Sequence, residues 1–174
     1  MHILAIVAGT NNPSNSDYLT DVFLQTLQEE GVTVEKIRLK DLSIPQFTLE
    51  RYQPDFYHDA DILKIRDGIT KATGILIATP IWNFGVPAHL KNTIDCLGAF
   101  LLDKGTRSKG QLNGKPFYFL FTGGAPAAAW KAIMKKTTSS LPQGLQYFGA
   151  HSSGTFFEGG CSLGSLVVDK RPKT

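Results

Sequence analysis

Three short runs of apolar residues constrain the fold of this chain more than any other feature. Residues 3–8 read ILAIVA, residues 74–78 read GILIA, and residues 117–121 read FYFLF. A strand with one exposed face alternates apolar and polar residues, whereas continuous apolar runs of this length are typical of strands buried on both faces of a parallel sheet. The chain therefore predicts a sheet that is covered by helices on both sides.

The segments between these runs have the apolar spacing of helices or of further strands. Helices are predicted at 19–30, 59–73, 88–102 and 127–140, and strands at 32–39 and within 150–158. The resulting order, βαβαβαβαβ with parallel crossovers, predicts a doubly wound α/β fold with helices on both faces. With 174 residues, the whole chain 1–174 has the length of a single domain.

Ligands of such folds bind beyond the carboxyl ends of the strands, where three loops of unusual composition are predicted: residues 9–16, 79–87 and 122–126. The first loop places six small donor side chains at the start of a helix. Spare backbone N–H groups and the positive end of the helix dipole favour a phosphate there. A well-capped helix without a ligand has a similar composition, so both interpretations stay open from this loop alone. Neither the P-loop nor the dinucleotide fingerprint is present.

The second loop, TPIWNFGVP at 79–87, combines flat apolar side chains, an amide and a glycine between two prolines. Each proline disfavours the helical region for the residue before it, and Pro87 suits the first turn of the next helix. This mixture suits a planar ligand with polar edges. It equally suits an ordinary strand-to-helix connection whose aromatic residues pack in the core.

Composition argues against several other classes of protein. The net charge is +3, and much of the excess lies in 104–115 and 170–173 without interleaved aromatic residues, so no nucleic-acid partner is predicted. Cys96 and Cys161 lie far apart with no other ligand at metal spacing, which predicts neither a disulfide scaffold nor a metal site, and Cys96 is expected to be a packed thiol. No apolar stretch has the length of a membrane span or of a signal-peptide core, so a cytoplasmic protein without membrane contacts is expected.

Two motifs together resemble one family. GTNNPSNS at 9–16 and TPIWNFGVPAHLKNTID at 79–95 are similar to the NADPH-dependent FMN reductase family, which includes quinone, azo-dye and chromate reductases. LNGKP at 112–116 and TGG at 122–124 also resemble that family, so the likeness covers roughly 3–124. The resemblance implies a flavodoxin-like three-layer fold with a five-stranded parallel sheet in the order 2-1-3-4-5. It also implies FMN as the cofactor and NADPH or NADH as the electron donor.

The resemblance implies roles for individual residues in the three loops. The FMN phosphate would be held by Gly9, Thr10, Asn12, Ser14, Asn15 and Ser16. The isoalloxazine ring and ribityl chain would be lined by Pro80, Ile81, Trp82, Asn83, Phe84 and Gly85. The pyrimidine edge would lie along Thr122, Gly123 and Gly124. Backbone amides there stabilise the negative charge that a reduced flavin carries, and glycines let the backbone approach. In the basic loop, Arg107 and Lys109 are candidate contacts for a cofactor phosphate.

Several features depart from the family or lie outside the motifs. The family often has Arg in place of Asn12 and Ser in place of Asn15, which affects phosphate affinity and the choice of NADPH. No final helix is predicted after Gly160, and we expect a partner chain of a homodimer to cover that edge of the sheet. The long loop 40–58, with the aromatic residues Phe47, Tyr52, Phe56 and Tyr57, is a second candidate for partner contacts.

The remaining polar residues have ordinary interpretations. His89 is predicted to be an exposed helix residue and His151 a loop or strand-edge residue. Lys91 and Asp95 are predicted to form a surface ion pair. No Ser-His-Asp set or carboxylate pair stands out, so no catalytic side chain is assigned, as expected where a cofactor supplies the chemistry.

The sequence thus predicts an FMN-dependent NAD(P)H oxidoreductase that transfers hydride through FMN N5. Its small-molecule electron acceptor would be a quinone, an azo or nitro compound, a metal oxyanion or a free flavin. Two alternatives stay open. One is a flavodoxin-type electron carrier without NAD(P)H activity, although such carriers present an acidic surface and this chain is basic. The other is an interaction module that keeps the fold without flavin.

Overall fold

In the computed structural model, which describes residues 1–52 and 58–169, five parallel strands form one sheet in the order β2-β1-β3-β4-β5. The strands are β1 (His2–Val7), β2 (Thr33–Arg38), β3 (Gly74–Pro80), β4 (Pro116–Thr122) and β5 (His151–Glu158). The strand order and the parallel pairing implied by the family resemblance are confirmed.

Helices connect successive strands across the two faces of the sheet. They are α1 (Asn15–Glu29), α2 (Ala60–Lys71) and α3 (Ala88–Leu101), followed by the segment α4 at 127–138, by α5 (Ser140–Tyr147) and by a short α6 (Ser165–Asp169). Segment α4 contains a π-helical stretch, Trp130–Met134, between the α-helical pieces Ala127–Ala129 and Lys135–Thr138. The four predicted helices are found, but α5 and α6 were not predicted.

The three apolar runs are the centre of the core, as the sequence predicted. Side chains of β1 that point to one face, such as Leu4, pack with α2 and α3, whereas Ala5 and Val7 point to the other face and pack with Leu24 of α1. The middle of β4 is buried in the same way, with Phe119 and Leu120 on opposite faces. Both faces of the central strands are therefore covered, which is why their sequences do not alternate.

The carboxyl-terminal segment returns to the first helix instead of covering the edge strand β5. Helix α6 packs against α1, and Gly164 lies against Pro13 of the first loop. Strand β5 keeps exposed side chains, among them Phe156. The expectation that a partner chain covers this edge stays a prediction.

The long loop after β2 is held against α3 by Asn92. The amide oxygen of Asn92 accepts from the Phe47 N–H at 2.8 Å, and its Nδ2 donates to the Pro45 carbonyl at 2.9 Å. Cys96 lies one turn further along α3 and is fully buried, and burial raises the pKa of its thiol. Its prediction as a packed thiol is confirmed. Phe47 and Tyr52 pack edge to face within the chain, while Phe56 and Tyr57 lie outside the described residues.

We expect Asn92→Ala to lower the free energy of unfolding by about 1–3 kcal/mol, because it removes two hydrogen bonds that hold a half-buried loop. Urea denaturation followed by circular dichroism measures the change. The matched control is Lys91→Ala, which breaks the predicted and observed surface ion pair with Asp95 (2.6 Å) and should change stability by less than about 1 kcal/mol. Equal losses in the two variants would show that Asn92 does not hold the loop.

Candidate cofactor site

The three loops predicted from the sequence converge on one cavity at the carboxyl ends of β1, β3 and β4. The cavity has a volume of about 220 Å³. Its lining comprises Gly9, Asn11, Ser14, Asn15 and Ser16 from the first loop, Pro80, Ile81 and Trp82 from the second, Thr122, Gly123 and Gly124 from the third, and Cys161, Ser162 and Leu163. The sequence predicted the first three groups of residues but missed the fourth.

The first loop presents two buried hydroxyl groups at the start of α1. Ser14 caps the helix, because its Oγ accepts from the backbone N–H of Asp17 at 3.3 Å. Its Oγ lies 3.2 Å from the Oγ of Ser16, and the two residues are only 8% and 1% exposed. A Cβ atom at Gly9 would collide with both hydroxyl groups. Glycine at this position is therefore what allows the two hydroxyls to meet beside the backbone.

Backbone donors lie next to these hydroxyl groups. Within the described residues, no acceptor receives the N–H groups of Asn15 and Ser16, the first two residues of α1. The nearby acidic residue, Asp17, is held by Lys36 of β2 at 2.9 Å, which offsets its negative charge. The loop thus offers several uncharged donors at the positive end of a helix of 15 residues, the arrangement that favours an anion.

Three side chains of this loop differ from their expected placement. Thr10 and Asn12 are exposed and do not line the cavity, whereas Asn11 does. The side-chain amide of Asn15 bonds to the carboxyl-terminal segment, donating to the Ser162 carbonyl at 2.7 Å and accepting from the Leu166 N–H at 3.1 Å. What this residue offers the cavity is its backbone N–H.

The second loop forms a tight two-residue turn that the sequence analysis did not predict. Trp82 and Gly85 exchange two backbone hydrogen bonds, both of 2.9 Å, and Asn83 and Phe84 between them have positive φ angles of 47° and 66°. Positive φ at both central residues matches the right-handed twist of the flanking backbone but is costly for a residue as large as Phe. Asn83, Phe84 and Gly85 therefore lie beyond the cavity wall, and Phe84 is 64% exposed.

The turn also contains a second set of backbone donors. Among the residues that the structure describes, none accepts a hydrogen bond from the N–H of Asn83 or of Phe84. The preceding residue, Ile81, is buried and donates its N–H to the Thr122 carbonyl at 2.8 Å, which fixes the second loop to the third. Trp82, which is 39% exposed, forms the cavity wall at the base of the turn.

Aromatic packing supports the third loop. A Cβ at Gly123 would lie 3.2 Å from the ring of Phe157, which stacks on Trp130 with ring centroids 4.8 Å apart. The N–H of Gly123 donates to the Glu158 carbonyl at 3.0 Å. Gly124 lines the cavity, and its N–H has no acceptor within the described ranges.

His89 connects the second and first loops, contrary to the expectation that it is an exposed helix residue. It is half-buried in the first turn of α3, and its Nε2 donates to the carbonyl of Ala8 at 2.8 Å. Its sequence position gave no signal, because the contact spans 81 residues. His151 begins β5 and is exposed, which confirms its prediction as a strand-edge residue.

Arg107 and Lys109 lie at the amino ends of the strands, opposite the end that carries the cavity. Their loop joins the end of α3 to the start of β4, and the length of α3 alone separates the two ends of the sheet by about 21 Å. Arg107 donates to the Tyr52 carbonyl, and its guanidinium lies 5.5 Å from the centroid of the Tyr52 ring. Within one chain, these two residues are not brought to the cavity. Their positive charge suggested a phosphate contact, but topology decides at which edge a loop lies.

The chemistry of the cavity is that of neutral donors and aromatic surface. Among the residues that the structure describes, none that lines it is charged. No group of three metal-ligating side chains occurs in residues 1–52 and 58–169. In the same part of the chain, no helix is long and apolar enough to cross a membrane.

A doubly wound parallel sheet with a hydroxyl-rich helix start, an aromatic turn and a glycine loop at adjacent strand ends defines the flavodoxin-like class of α/β proteins. Residues 1–148 match the family described as NADPH-dependent FMN reductase, and the chain belongs to that family. The family resemblance seen in the sequence is confirmed.

The names of sequence relatives agree with this assignment. The chain is 30% identical over 99 residues to the NADH-dependent flavin reductase subunit 2 of Lactobacillus johnsonii, covering 57% of this chain and 50% of that protein. It is 31% identical over 139 residues to the FMN-dependent NADH:quinone oxidoreductase of Mycoplasma genitalium, covering 72% and 70%. Most of the curated relatives are spanned over only about half of their length, 49–53%.

The fold is shared with an NAD(P)H:quinone oxidoreductase from Methanothermobacter marburgensis, at a TM-score of 0.75 and 19% identity over 98% of this chain and 89% of that chain. It is also shared with an FMN-dependent NADH-azoreductase from Bacillus anthracis that was solved in complex with FMN. That comparison has a TM-score of 0.70 at 17% identity and covers 97% of this chain and 93% of that chain.

Proposed function

We propose that this chain binds FMN in the cavity between its three loops and acts as an FMN-dependent NAD(P)H oxidoreductase on a small-molecule electron acceptor. The observation that carries the proposal is a set of donors that have no acceptor among the described residues. They are the backbone N–H groups of Asn15 and Ser16 beside the paired hydroxyls of Ser14 and Ser16, the N–H of Gly124 on the cavity wall, and the N–H groups of Asn83 and Phe84 in the turn after Trp82. A phosphate at one end and a polar-edged ring at the other would satisfy them.

The phosphate of FMN would be held by Ser14, Ser16 and the N–H groups of Asn15 and Ser16. Gly9 supports this role, because it leaves the space that brings both hydroxyl groups to one point. Thr10 and Asn12 are exposed at the rim and would contact at most the outer phosphate oxygens. The helix dipole takes the place of the Arg side chain that the family often carries at Asn12.

The ring of FMN would lie between the aromatic turn and the glycine loop. Pro80, Ile81 and Trp82 supply apolar surface, and the N–H groups of Asn83, Phe84 and Gly124 are suited to the polar edges of the ring. When bound, FMN accepts a hydride from NADPH or NADH and passes the electrons to the acceptor. The residues of this chain would orient the ring and stabilise its negative charge with fixed backbone dipoles.

The acceptor would meet an apolar, aromatic rim. Trp82 is 39% exposed on the cavity wall, and Phe84 is 64% exposed in the turn that follows it. Planar compounds such as quinones and azo or nitro aromatics match such a rim better than a protein partner of an electron carrier would, because no charged side chain lines the cavity.

Anaerobic reduction of the FMN-loaded protein tests this function. We expect NADPH or NADH to bleach the flavin absorbance, and a quinone such as menadione to restore it with one quinone consumed per bound flavin. A yellow protein that neither nucleotide bleaches would instead support an electron carrier. A colourless protein that takes up no added FMN would support an interaction module without flavin.

Because the cavity lacks charged side chains, we expect FMN affinity to depend only weakly on salt. Raising NaCl from 50 to 500 mM should raise the Kd for FMN by less than about threefold, since only the helix dipole and no ion pair is screened. Fluorescence quenching of FMN by the apoprotein measures the Kd. A loss of about tenfold or more would mean that a cation, such as a partner's Lys or Arg, contacts the phosphate.

We infer that the chain functions as a single domain and as a homodimer in the cytoplasm, without nucleic-acid or membrane contacts. The exposed aromatic rim and the exposed side chains of β5 support a partner chain, because large apolar side chains at a ligand site are often covered on assembly. Light scattering of the FMN-loaded protein on size exclusion should give twice the chain mass of 19.0 kDa. The chain mass itself would contradict the dimer.

A further inference from the structure

Residues 161–166, which we call the strap, cross from the third loop to the first and supply the remaining wall of the cavity. We propose that the strap, positioned by the side chain of Asn15, encloses the phosphate end of the cavity. The strap thereby makes the site selective for FMN, whose phosphate is a terminal monoester, over FAD, whose phosphate carries a second group. This inference rests on the proposed FMN site and assigns its selectivity.

Asn15 fixes the strap with both halves of its side-chain amide. Its Nδ2 donates to the Ser162 carbonyl at 2.7 Å, and its Oδ1 accepts from the N–H of Leu166 at 3.1 Å. These two hydrogen bonds join residues that are separated by 147 and 151 positions in the sequence. They hold the carboxyl-terminal segment against the start of α1. The same residue, Asn15, supplies one of the two unused N–H groups of the phosphate loop.

Two further contacts fix the strap independently of Asn15. At one end, the Cys161 N–H donates to the Gly123 carbonyl at 2.9 Å, which ties the strap to the third loop. At the other end, Gly164, at φ 65°, lies against Pro13, so close that a Cβ would collide with the proline ring. Leu166 is buried where α6 packs on α1. The strap is therefore part of the packed structure.

The position of the strap determines which part of a flavin it meets. Ser162 and Leu163 line the same cavity as Ser14 and Ser16, and the Ser162 carbonyl is bonded to the residue between those two serines. A phosphate at Ser14 and Ser16 therefore has the strap beside it. The phosphate of FMN is the end of the molecule, but that of FAD continues into a second phosphate and an adenosine, which need a way out. Because it lines the cavity beside these serines, the strap would close that route.

Asn15 is on this account a positioning residue, which acts through the strap and not through its own side chain on the phosphate. A residue that only stabilises the fold would change the affinity for every flavin by the same factor. Loss of strap positioning should instead weaken FMN binding and relieve the exclusion of FAD, so the ratio of the two affinities should fall.

The test compares FMN, FAD and riboflavin binding to the full-length apoprotein by fluorescence quenching. We expect the wild type to bind FMN at least about tenfold more tightly than FAD, and Asn15→Ala to reduce that ratio by about tenfold through loss of two hydrogen bonds. Gly164→Ala displaces the strap from its other side and should reduce the ratio in the same direction. Riboflavin affinity should stay within about twofold, because riboflavin has no phosphate.

The control variant is Gln25→Ala, which removes a side-chain amide hydrogen bond to Glu29 on the exposed surface of the same helix. It should keep the wild-type ratio. An FMN-to-FAD ratio unchanged in both Asn15→Ala and Gly164→Ala, with folding verified by circular dichroism, would overturn the role of the strap while leaving the FMN site intact. Failure of the wild type to bind any flavin would instead overturn the proposed function itself.

Discussion

Replacing Gly9 with Ala should weaken FMN binding by about 100-fold or more while leaving the sheet folded. The added Cβ would collide with the hydroxyl groups of Ser14 and Ser16, so both buried side chains would have to turn away from their present positions. The two donors would be pushed apart, and the first loop would lose its concave surface. Because the loss concerns the phosphate, affinity for riboflavin should change far less than affinity for FMN.

The Kd values of FMN and riboflavin for apoprotein variants measure this effect. Ser16→Ala, which removes one hydroxyl without adding bulk, should weaken FMN binding by a smaller factor of about tenfold. If Gly9→Ala retained FMN as well as the wild type, the phosphate could not lie beside Ser14 and Ser16. The site would then have to be sought elsewhere on the chain.

Gly110→Ala, in contrast, should lower the free energy of unfolding by about 3 kcal/mol or more and leave the FMN site unaltered. A Cβ at Gly110 would overlap backbone atoms of Phe148 and Gly149, which cannot move as a side chain can. This contact joins the loop before β4 to the connection between α5 and β5, because Leu112 donates its N–H to the Phe148 carbonyl there. Separation of these backbones would loosen the insertion of β4 into the sheet.

Gly144→Ala is the matched control for both glycine variants. Gly144 lies within α5, and a Cβ there would meet nothing within 4 Å. It should raise stability by about 0.5–1 kcal/mol, since Ala is the better helix former, and leave FMN affinity unchanged. Thermal denaturation of the apoproteins separates the variants. A melting temperature of Gly110→Ala equal to that of the wild type would mean that these backbones do not meet.

The sequence predicted the sheet well because its central strands are buried on both faces. Once residues 3–8, 74–78 and 117–121 were recognised as parallel strands, their following loops had to meet at one edge, and that edge carries the cavity. The role of the first loop could also be predicted from the local sequence, because Ser14 and Ser16 lie at the start of α1.

What the sequence could not predict depends on contacts between distant residues or on backbone conformation. The strap is held at the cavity by contacts with residues far away in sequence, such as the hydrogen bonds that join Asn15 to residues about 150 positions away. The hydrogen bond between His89 and Ala8 likewise joins residues that are distant in sequence. Asn83 is a usual first residue of a turn with positive φ, but Phe84 is not a usual second one, so the turn left only a weak compositional signal.

An amide-resolved NMR titration of the 19.0 kDa apoprotein with FMN and, separately, with riboflavin tests most directly whether the phosphate binds at the start of α1. The account predicts that the N–H resonances of Asn15 and Ser16 shift strongly with FMN and little with riboflavin. Those of Asn83, Phe84 and Gly124 should shift with both, because the proposed ring site lies between the aromatic turn and the glycine loop. Shifts confined to other parts of the chain, or equal responses of Asn15 and Ser16 to both flavins, would contradict a phosphate site at the start of α1.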